Sequence, residues 1–397
     1  MNRNIKISYI LSSLKHSWFW IGIWVFYYLR YTNYAGIGLI ETVMILTMTL
    51  SEIPTGAIGD LLGKRITLFF AFFLESTGNF IMAFAPNFTI LTLSVFIMSF
   101  GGTMYSGTSD ALAYDSLKEI GKESSYHKII SNMKSFQWIA VTITSIAGGL
   151  LYKLNPSYPF IASGVFFALG SLITLFIKEP KIDTEKFSIH SFLKQNKIGF
   201  KSLFQNTQIA NVTIFLAAVG SIIILSWEML ESILGVEFGF NPISFSILTA
   251  VMYLASAIGS QATARLGRRF GNLNAIILLA GISAISFLIS PIAGIIIGGL
   301  TLILRSVVQV VIENLTSVVI NHNVDSKYRA TALSSFNMLK NIPYVLTAFL
   351  LGSLMDIITA RYFGFILGIF LIIILSIWLL ASRKKVISLK TNGYDYS

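Results

Sequence analysis

Apolar runs of about 18 or more residues recur along the whole chain, separated by short polar connections. A run of that length is what a helix needs to cross hydrocarbon. Lipid offers no partner for a backbone N–H or C=O, so each run must satisfy its own groups as a helix. Twelve spans can be read, at about 16–35, 37–58, 66–86, 89–112, 133–153, 158–178, 208–233, 243–264, 272–290, 292–320, 329–353 and 361–381. With 54% hydrophobic and 12% charged residues, the chain carries too much apolar surface to hide in a water-soluble core. The expected class is an all-α membrane protein with twelve transmembrane helices in two pseudo-symmetric six-helix bundles.

The formal charge of +11 raises nucleic acid as a partner, but its distribution argues against it. The cations gather in alternate connections. Lys64 and Arg65 share one, and Lys118, Lys122, Lys128 and Lys134 another. Six lysines fill 178–201; Arg265, Arg268 and Arg269, then Lys327 and Arg329, and finally the tail from Arg383 follow. The intervening connections hold Lys153 and Arg361. This alternation is orientation charge, with an even span count and both termini cytoplasmic. Met1 to Lys15 carries Arg3, Lys6 and Lys15 and no small-residue cleavage site, so it reads as a retained cytoplasmic end. The bilayer, not nucleic acid, is the expected partner, and the expected location is a bacterial plasma membrane. Without cysteine there is no disulfide or thiol chemistry. His16, His127, His190 and His322 fall in or near polar connections, which disfavours a histidine proton relay inside the membrane.

The longest polar connection, 179–206, divides the chain into an N-terminal bundle, 1–178, and a C-terminal bundle, 207–397, with a short tail. A repeat runs across it. Gly63-Lys64-Arg65 joins spans two and three, and Gly267-Arg268-Arg269 joins spans eight and nine. Two six-span halves with matching hairpins suggest parallel repeats about an axis along the membrane normal.

The first hairpin reads Gly56-x-x-x-Asp60-Leu-x-Gly63-Lys64-Arg65. It resembles the signature loop of the major facilitator superfamily, with Leu61 where a cation is usual. The second-half copy has Ala264 at the acid position. The stretches Asp110-Ala-Leu-Ala-Tyr-Asp115 and Arg329-Ala-Thr-Ala-Leu-Ser334 look like those of bacterial members that export drugs or small solutes. Span five keeps Gly148-Gly149 but lacks the Gly-Pro usual in proton-coupled exporters. The resemblance implies alternating access, and a latch in which Asp60 meets the start of span eleven with Gly56, Gly63, Lys64 and Arg65 around it. The physics is consistent, since a carboxylate near a helix N-terminus is favoured by roughly 0.3–1 kcal/mol. The alternative is that the hairpin only anchors a turn among lipid headgroups.

Charges deep in a span cost at least a few kcal/mol and are functional candidates by default. Glu75, Asp110, Glu228 and Glu313 are the candidates for proton coupling; each could instead be a structural ion pair. Glu41, Glu228 and Glu231 could equally be solvated rim. Glu313 and Lys340, on spans ten and eleven, could pair. Span one carries Trp20, Trp24, Tyr27, Tyr31 and Tyr34 in one helical stripe, flanked by Arg30. Trp20, Trp24, Tyr27, Arg30, Tyr31 and Arg305 are therefore the candidates for a substrate cavity. The aromatics suit a flat or cationic amphipathic solute, the arginines an anion. Packing plus an interfacial belt also explains the stripe.

No phosphate-cradling Gly-x-x-x-x-Gly-Lys-Ser/Thr loop, metal-ligand cluster or nucleophile elbow is present, so neither an enzyme nor a cofactor is expected. The reading is a monomeric secondary transporter exporting a small amphipathic solute, driven by protons. The alternatives are an importer or facilitator of a small metabolite, anionic or not, and a non-transporting receptor on the same fold.

Overall fold

A computed structural model describes residues 2–180, 189–324 and 328–384. The elements run α1 (Arg3–Lys15), α2 (Trp24–Tyr28), α3 (Tyr34–Leu62), α4 (Lys64–Ala83), α5 (Phe88–Lys118), α6 (Tyr126–Leu154), α7 (Tyr158–Thr174) and α8 (Ile189–Leu203). Then come α9 (Thr207–Leu225), α10 (Glu231–Glu237), α11 (Pro242–Ser260), α12 (Thr263–Phe270), α13 (Asn272–Leu288), α14 (Ile295–Asn323) and α15 (Arg329–Lys384).

Among the described residues, nine helices are long and apolar enough to cross a membrane. The last of them, Thr331–Ala381, is two helices joined at Thr359, whose backbone is left-handed (φ 67°). The shorter apolar helix Tyr158–Thr174 and the interrupted pair α1–α2 supply two further passes. The total agrees with the twelve spans read from sequence.

Local chemistry sets where helices begin. Asn33, Asn87 and Asn206 each precede a helix, and each side-chain oxygen accepts the N–H three residues on, at 2.9–3.1 Å. That satisfies one of the orphan donors of a first turn. The hairpin between α3 and α4 turns on Gly63, with φ 80° and ψ 164°. The matching turn between α12 and α13 falls at Gly271, with φ 79° and ψ 144°. Gly267-Arg268-Arg269 lies between α11 and α13, the helices of spans eight and nine, but the turn itself comes four residues after Gly267. Gly267 lies inside α12, because left-handed backbone, not the Gly-Arg-Arg pattern, decides where the chain turns.

Two compact units emerge. The first comprises Met1–Lys194, Gly235–Leu254 and Val345–Ile357; the second Gln195–Leu234, Ala255–Tyr344 and Ile358–Ser397. In the first, α4 packs against α5 and α7, and α1 against α5, α6 and α7. Its core joins Ile7 and Leu11 to Leu68, Phe72, Tyr105 and Phe167. In the second, α13 packs along α14 and buries Ala275, Ile276, Ala280 and Leu302. Both units expose large apolar side chains, such as Leu50, Leu169, Ile285 and Leu346. On a soluble protein such patches would drive aggregation; here they are a surface for acyl chains.

The N-terminal stretch read as a cytoplasmic end is α1, packed into the first unit. Asn4 is buried and pins its start. The Asn4 amide donates to Ser116 Oγ at 2.9 Å and to the Lys178 carbonyl at 2.7 Å, and accepts from the Lys178 N–H at 3.0 Å. A second tie lies at the Gly63 hairpin. The Glu179 carboxylate accepts the Lys64 N–H at 2.7 Å and the Arg65 N–H at 3.0 Å, capping α4. A charged cap on two first-turn donors is worth about 1–2 kcal/mol. Glu179→Ala should therefore lower the melting temperature in detergent by several degrees, and Glu179→Gln by less. An unchanged melt for Glu179→Ala would show that the cap contributes nothing.

Candidate functional site

Charge in the second unit converges on a distorted helix. Between α9 and α10 the chain makes a π-helical turn, Ser226–Leu230, which carries Glu228. Such turns insert an extra residue, re-aim the side chains around it and recur at functional sites. Glu228 feels the charges of both Glu313 on α14 and Lys340 on α15. Lys340 Nζ lies 3.4 Å from Glu313 Oε1. The Lys340 carbonyl is itself fixed by Ser221 Oγ at 2.7 Å. The Glu313 side chain is 42% exposed. A carboxylate exposed that deep in a span must meet water, since hydrocarbon contact would cost at least a few kcal/mol. One turn before it, Gln309 Oε1 is buried without a hydrogen-bond partner among the described residues, as is Asn341 Oδ1 beside Lys340. The group therefore offers two carboxylates and one ammonium.

Arg305, expected as a cavity cation, is instead enclosed in the second unit. Its Nε lies 3.5 Å from Glu231 Oε1, with 2% of its side chain exposed and 5% of its partner's. The guanidinium covers the Phe287 ring at 4.6 Å and donates to Ser286. Glu231 is thus no solvated rim, and neither is Glu41, which is 5% exposed.

The first unit holds a matching interior pair that sequence missed. Lys15 Nζ meets Glu75 Oε1 at 2.6 Å, with the rings of Trp18, Tyr105 and Phe167 between 5.5 and 5.9 Å from the ammonium. Lys15 had counted as orientation charge because its apolar surroundings come from other helices. Glu75 is thus already balanced. Asp110 is exposed on α5, and it is Asp115, one turn on, that pairs with Lys64 Nζ at 2.7 Å.

The aromatic residues of span one are committed to packing. Residues 16–23 leave the α-helix in a chain of turns between α1 and α2, although the Trp24 N–H still donates to the Trp20 carbonyl at 2.9 Å. Tyr27 is fully buried, donates to the Met82 carbonyl at 2.7 Å and packs on Phe160. Tyr31 donates to the Ala85 carbonyl at 3.0 Å. Trp24 is buried, edge-on to Tyr28, and Arg30 lies over Tyr27 and Tyr31. These residues hold the first unit together and do not form one wall. Trp20 differs: it sits in the unwound stretch, and its indole N–H has no partner among the described residues. Irregular backbone inside a span is tolerated where it is buried in protein or lines a cavity.

Of the hairpin residues, Gly63, Lys64 and Arg65 form the turn and its cap described above, while the surroundings of Gly56 and the side chain of Asp60 are not among those described. At the other end of α3, Asp356 accepts the N–H groups of Tyr34 and Ala35 at 3.0 and 2.9 Å. A methyl at Gly38 would strike the Ala348 carbonyl, and one at Gly352 the Tyr34 carbonyl. Within the first unit, the start of α3 and the segment 345–357 are thus closed backbone to backbone.

The family model for the Major Facilitator Superfamily matches residues 7–347. The chain belongs to that superfamily. Among curated relatives, an uncharacterized MFS-type transporter, YxaM of Bacillus subtilis, is 24% identical over 221 residues, 54% of each chain. An uncharacterized transporter of Rickettsia bellii is 29% identical over 136 residues, 34% of this chain and 32% of that one. The matches thus span about half the length of the first relative and a third of the second. Among solved structures, the nucleoside transporter NupG superposes with a TM-score of 0.77 at 15% identity, covering 96% of this chain and 98% of that one. A POT family transporter in complex with 5-aminolevulinic acid superposes with a TM-score of 0.73 at 12% identity, covering 97% of both. At these identities the likeness is one of fold.

The chain shares the fold of this superfamily. The Lys15–Glu75 and Arg305–Glu231 pairs are each enclosed within one unit, and this can be tested. Removing one member of an enclosed pair costs about 3–5 kcal/mol, whereas replacing both by apolar groups is close to neutral. Glu75→Leu should abolish stable expression, and the double substitution Lys15→Met/Glu75→Leu should restore a folded, monodisperse protein. If both proteins fold equally well, the pair is not enclosed.

Proposed function

We propose that this chain is a secondary transporter that moves a small amphipathic solute by alternating access, exporting it in exchange for protons. The observation that carries this reading is the Glu228–Glu313–Lys340 group. Lys340 contacts Glu313 and lies within electrostatic reach of Glu228, so with both carboxylates ionised the group carries one negative charge in excess unless a cation joins it. A proton or the solute's own cationic group can fill that vacancy, and the two then exclude each other. Mutual exclusion at one charge is the simplest form of exchange coupling. The gating elements in this reading are the Asp356 closure and the hairpin around Asp60, opening in alternation as two six-helix halves rock. The chain works as a monomer in a bacterial plasma membrane, termini inside, since each half supplies its own charge partners and the cations favour that side.

The second reading is an importer or facilitator of a small metabolite. The names of the fold neighbours support it, since they are nucleoside and peptide transporters. Its anionic form loses support because Arg305 is taken by Glu231.

Counterflow in proteoliposomes separates these readings. A panel of cationic, neutral and anionic solutes is exchanged with and without a pH gradient. The proposal expects gradient-driven accumulation of a cationic or neutral amphipath. Glu228→Gln should abolish the dependence of accumulation on the pH gradient while leaving passive exchange intact. Accumulation that ignores the gradient would remove proton coupling. Exchange of a single small anion alone would favour the metabolite reading.

A further inference from the structure

Away from the charge clusters, a cleft of about 550 Å³ opens between α1 and the end of α7, lined by Arg3, Lys6, Ile7, Ile173 and Phe176. Its two cations are exposed and one turn apart on the same helix face. Among the described residues neither makes an ion pair. They also sit at the wrong end of their helix. The N-terminus of α1 carries the positive pole of the helix dipole, and its first turn holds no acid. Lys178, exposed and tied through its backbone to Asn4, adds a third cation at the same rim.

Below the cations the surroundings change character. Ile10, Leu169, Leu172, Leu175 and Phe176 are all 44–61% exposed. In a membrane-spanning chain such a surface faces acyl chains, so the cleft has a cationic mouth at headgroup depth and an apolar floor along the tails. A free anion would use only the mouth, and a protein partner would have to enter from the lipid.

We propose that this cleft is a binding site for an anionic phospholipid. The phosphate lies between Arg3 and Lys6, and an acyl chain lies along Ile7, Ile173 and Phe176. The lipid supplies the negative charge that the first turn of α1 lacks. Because α1 continues to Lys15, occupancy of this cleft also steadies the helix that holds the Lys15–Glu75 pair.

The test is native mass spectrometry of the full chain in detergent, with phosphatidylglycerol or phosphatidylcholine of the same acyl chains added. Each cation near an anionic headgroup contributes a factor of about five in affinity, so phosphatidylglycerol should be retained many-fold over phosphatidylcholine. In Arg3→Gln/Lys6→Gln that preference should fall to near parity. In the parent protein it should weaken with added sodium chloride, a readout that does not depend on the variant folding. Equal retention of both lipids by the parent, or a preference unchanged by salt or by the variant, would overturn the proposal. A melting shift produced as well by inorganic phosphate alone would also overturn it, by showing that the cleft reads an anion and not a lipid.

Discussion

A charge inside hydrocarbon has to find either a partner or water, and most of what distinguishes this chain follows from how it meets that demand. Lys15 with Glu75, and Arg305 with Glu231, are closed pairs roofed by aromatic rings. Lys64 with Asp115 makes a third pair beside the α3–α4 turn, without such a roof. Each pair binds elements of one unit to one another, although Arg305 Nη2 and Glu231 Oε2 have no hydrogen-bond partner among the described residues. Glu228, Glu313 and Lys340 differ. They are arithmetically unbalanced and partly open, and one of them, Glu228, sits in a turn whose hydrogen-bond ladder is disturbed. The contrast between closed and open groups separates scaffold from candidate machinery.

The backbone obeys a similar rule. Where α1 stops at Lys15 and α2 starts at Trp24, the chain crosses a stretch without an α-helical ladder. Turn hydrogen bonds and the Ser163 hydroxyl, which accepts the Phe19 N–H at 3.1 Å, satisfy part of it. Helix ends are met by carboxylates from elsewhere in the sequence, Glu179 on α4 and Asp356 on α3. A helix terminus held by a distant carboxylate is a joint that can part without breaking a helix. That property suits a protein whose function needs two arrangements.

Much of the architecture was legible in the sequence because hydrophobic length is a local property. The twelve passes, the Gly63 turn and the superfamily could all be read from runs and motifs. The site was legible only in part. Glu228, Glu313 and Lys340 stand out as charges in apolar runs, but their grouping depends on a π turn that no periodicity announces. Lys15 was misread because four polar or charged residues near the N-terminus look like a tail, although Ile5, Ile7 and Leu11 on one face were the available signal. The stripe from Trp20 to Tyr34 reads as a wall from its spacing, but Trp24 and Tyr27 are buried and Tyr27 and Tyr31 spend their hydroxyls on backbone carbonyls, which spacing cannot reveal. Gly267 was matched by composition when the turn is set by a positive φ four residues later.

The central claim is that the polar face around Glu313 meets water while the charges deeper in each unit do not. The chain has no cysteine, so single-cysteine labelling reads it directly. Asn314 is exposed on α14, and Ser306, two turns earlier, is fully buried. In membranes, Asn314→Cys should react with a water-soluble maleimide, and Ser306→Cys should stay unreacted until the protein is denatured. An unreactive Asn314→Cys, or equal labelling at both positions, would contradict the account.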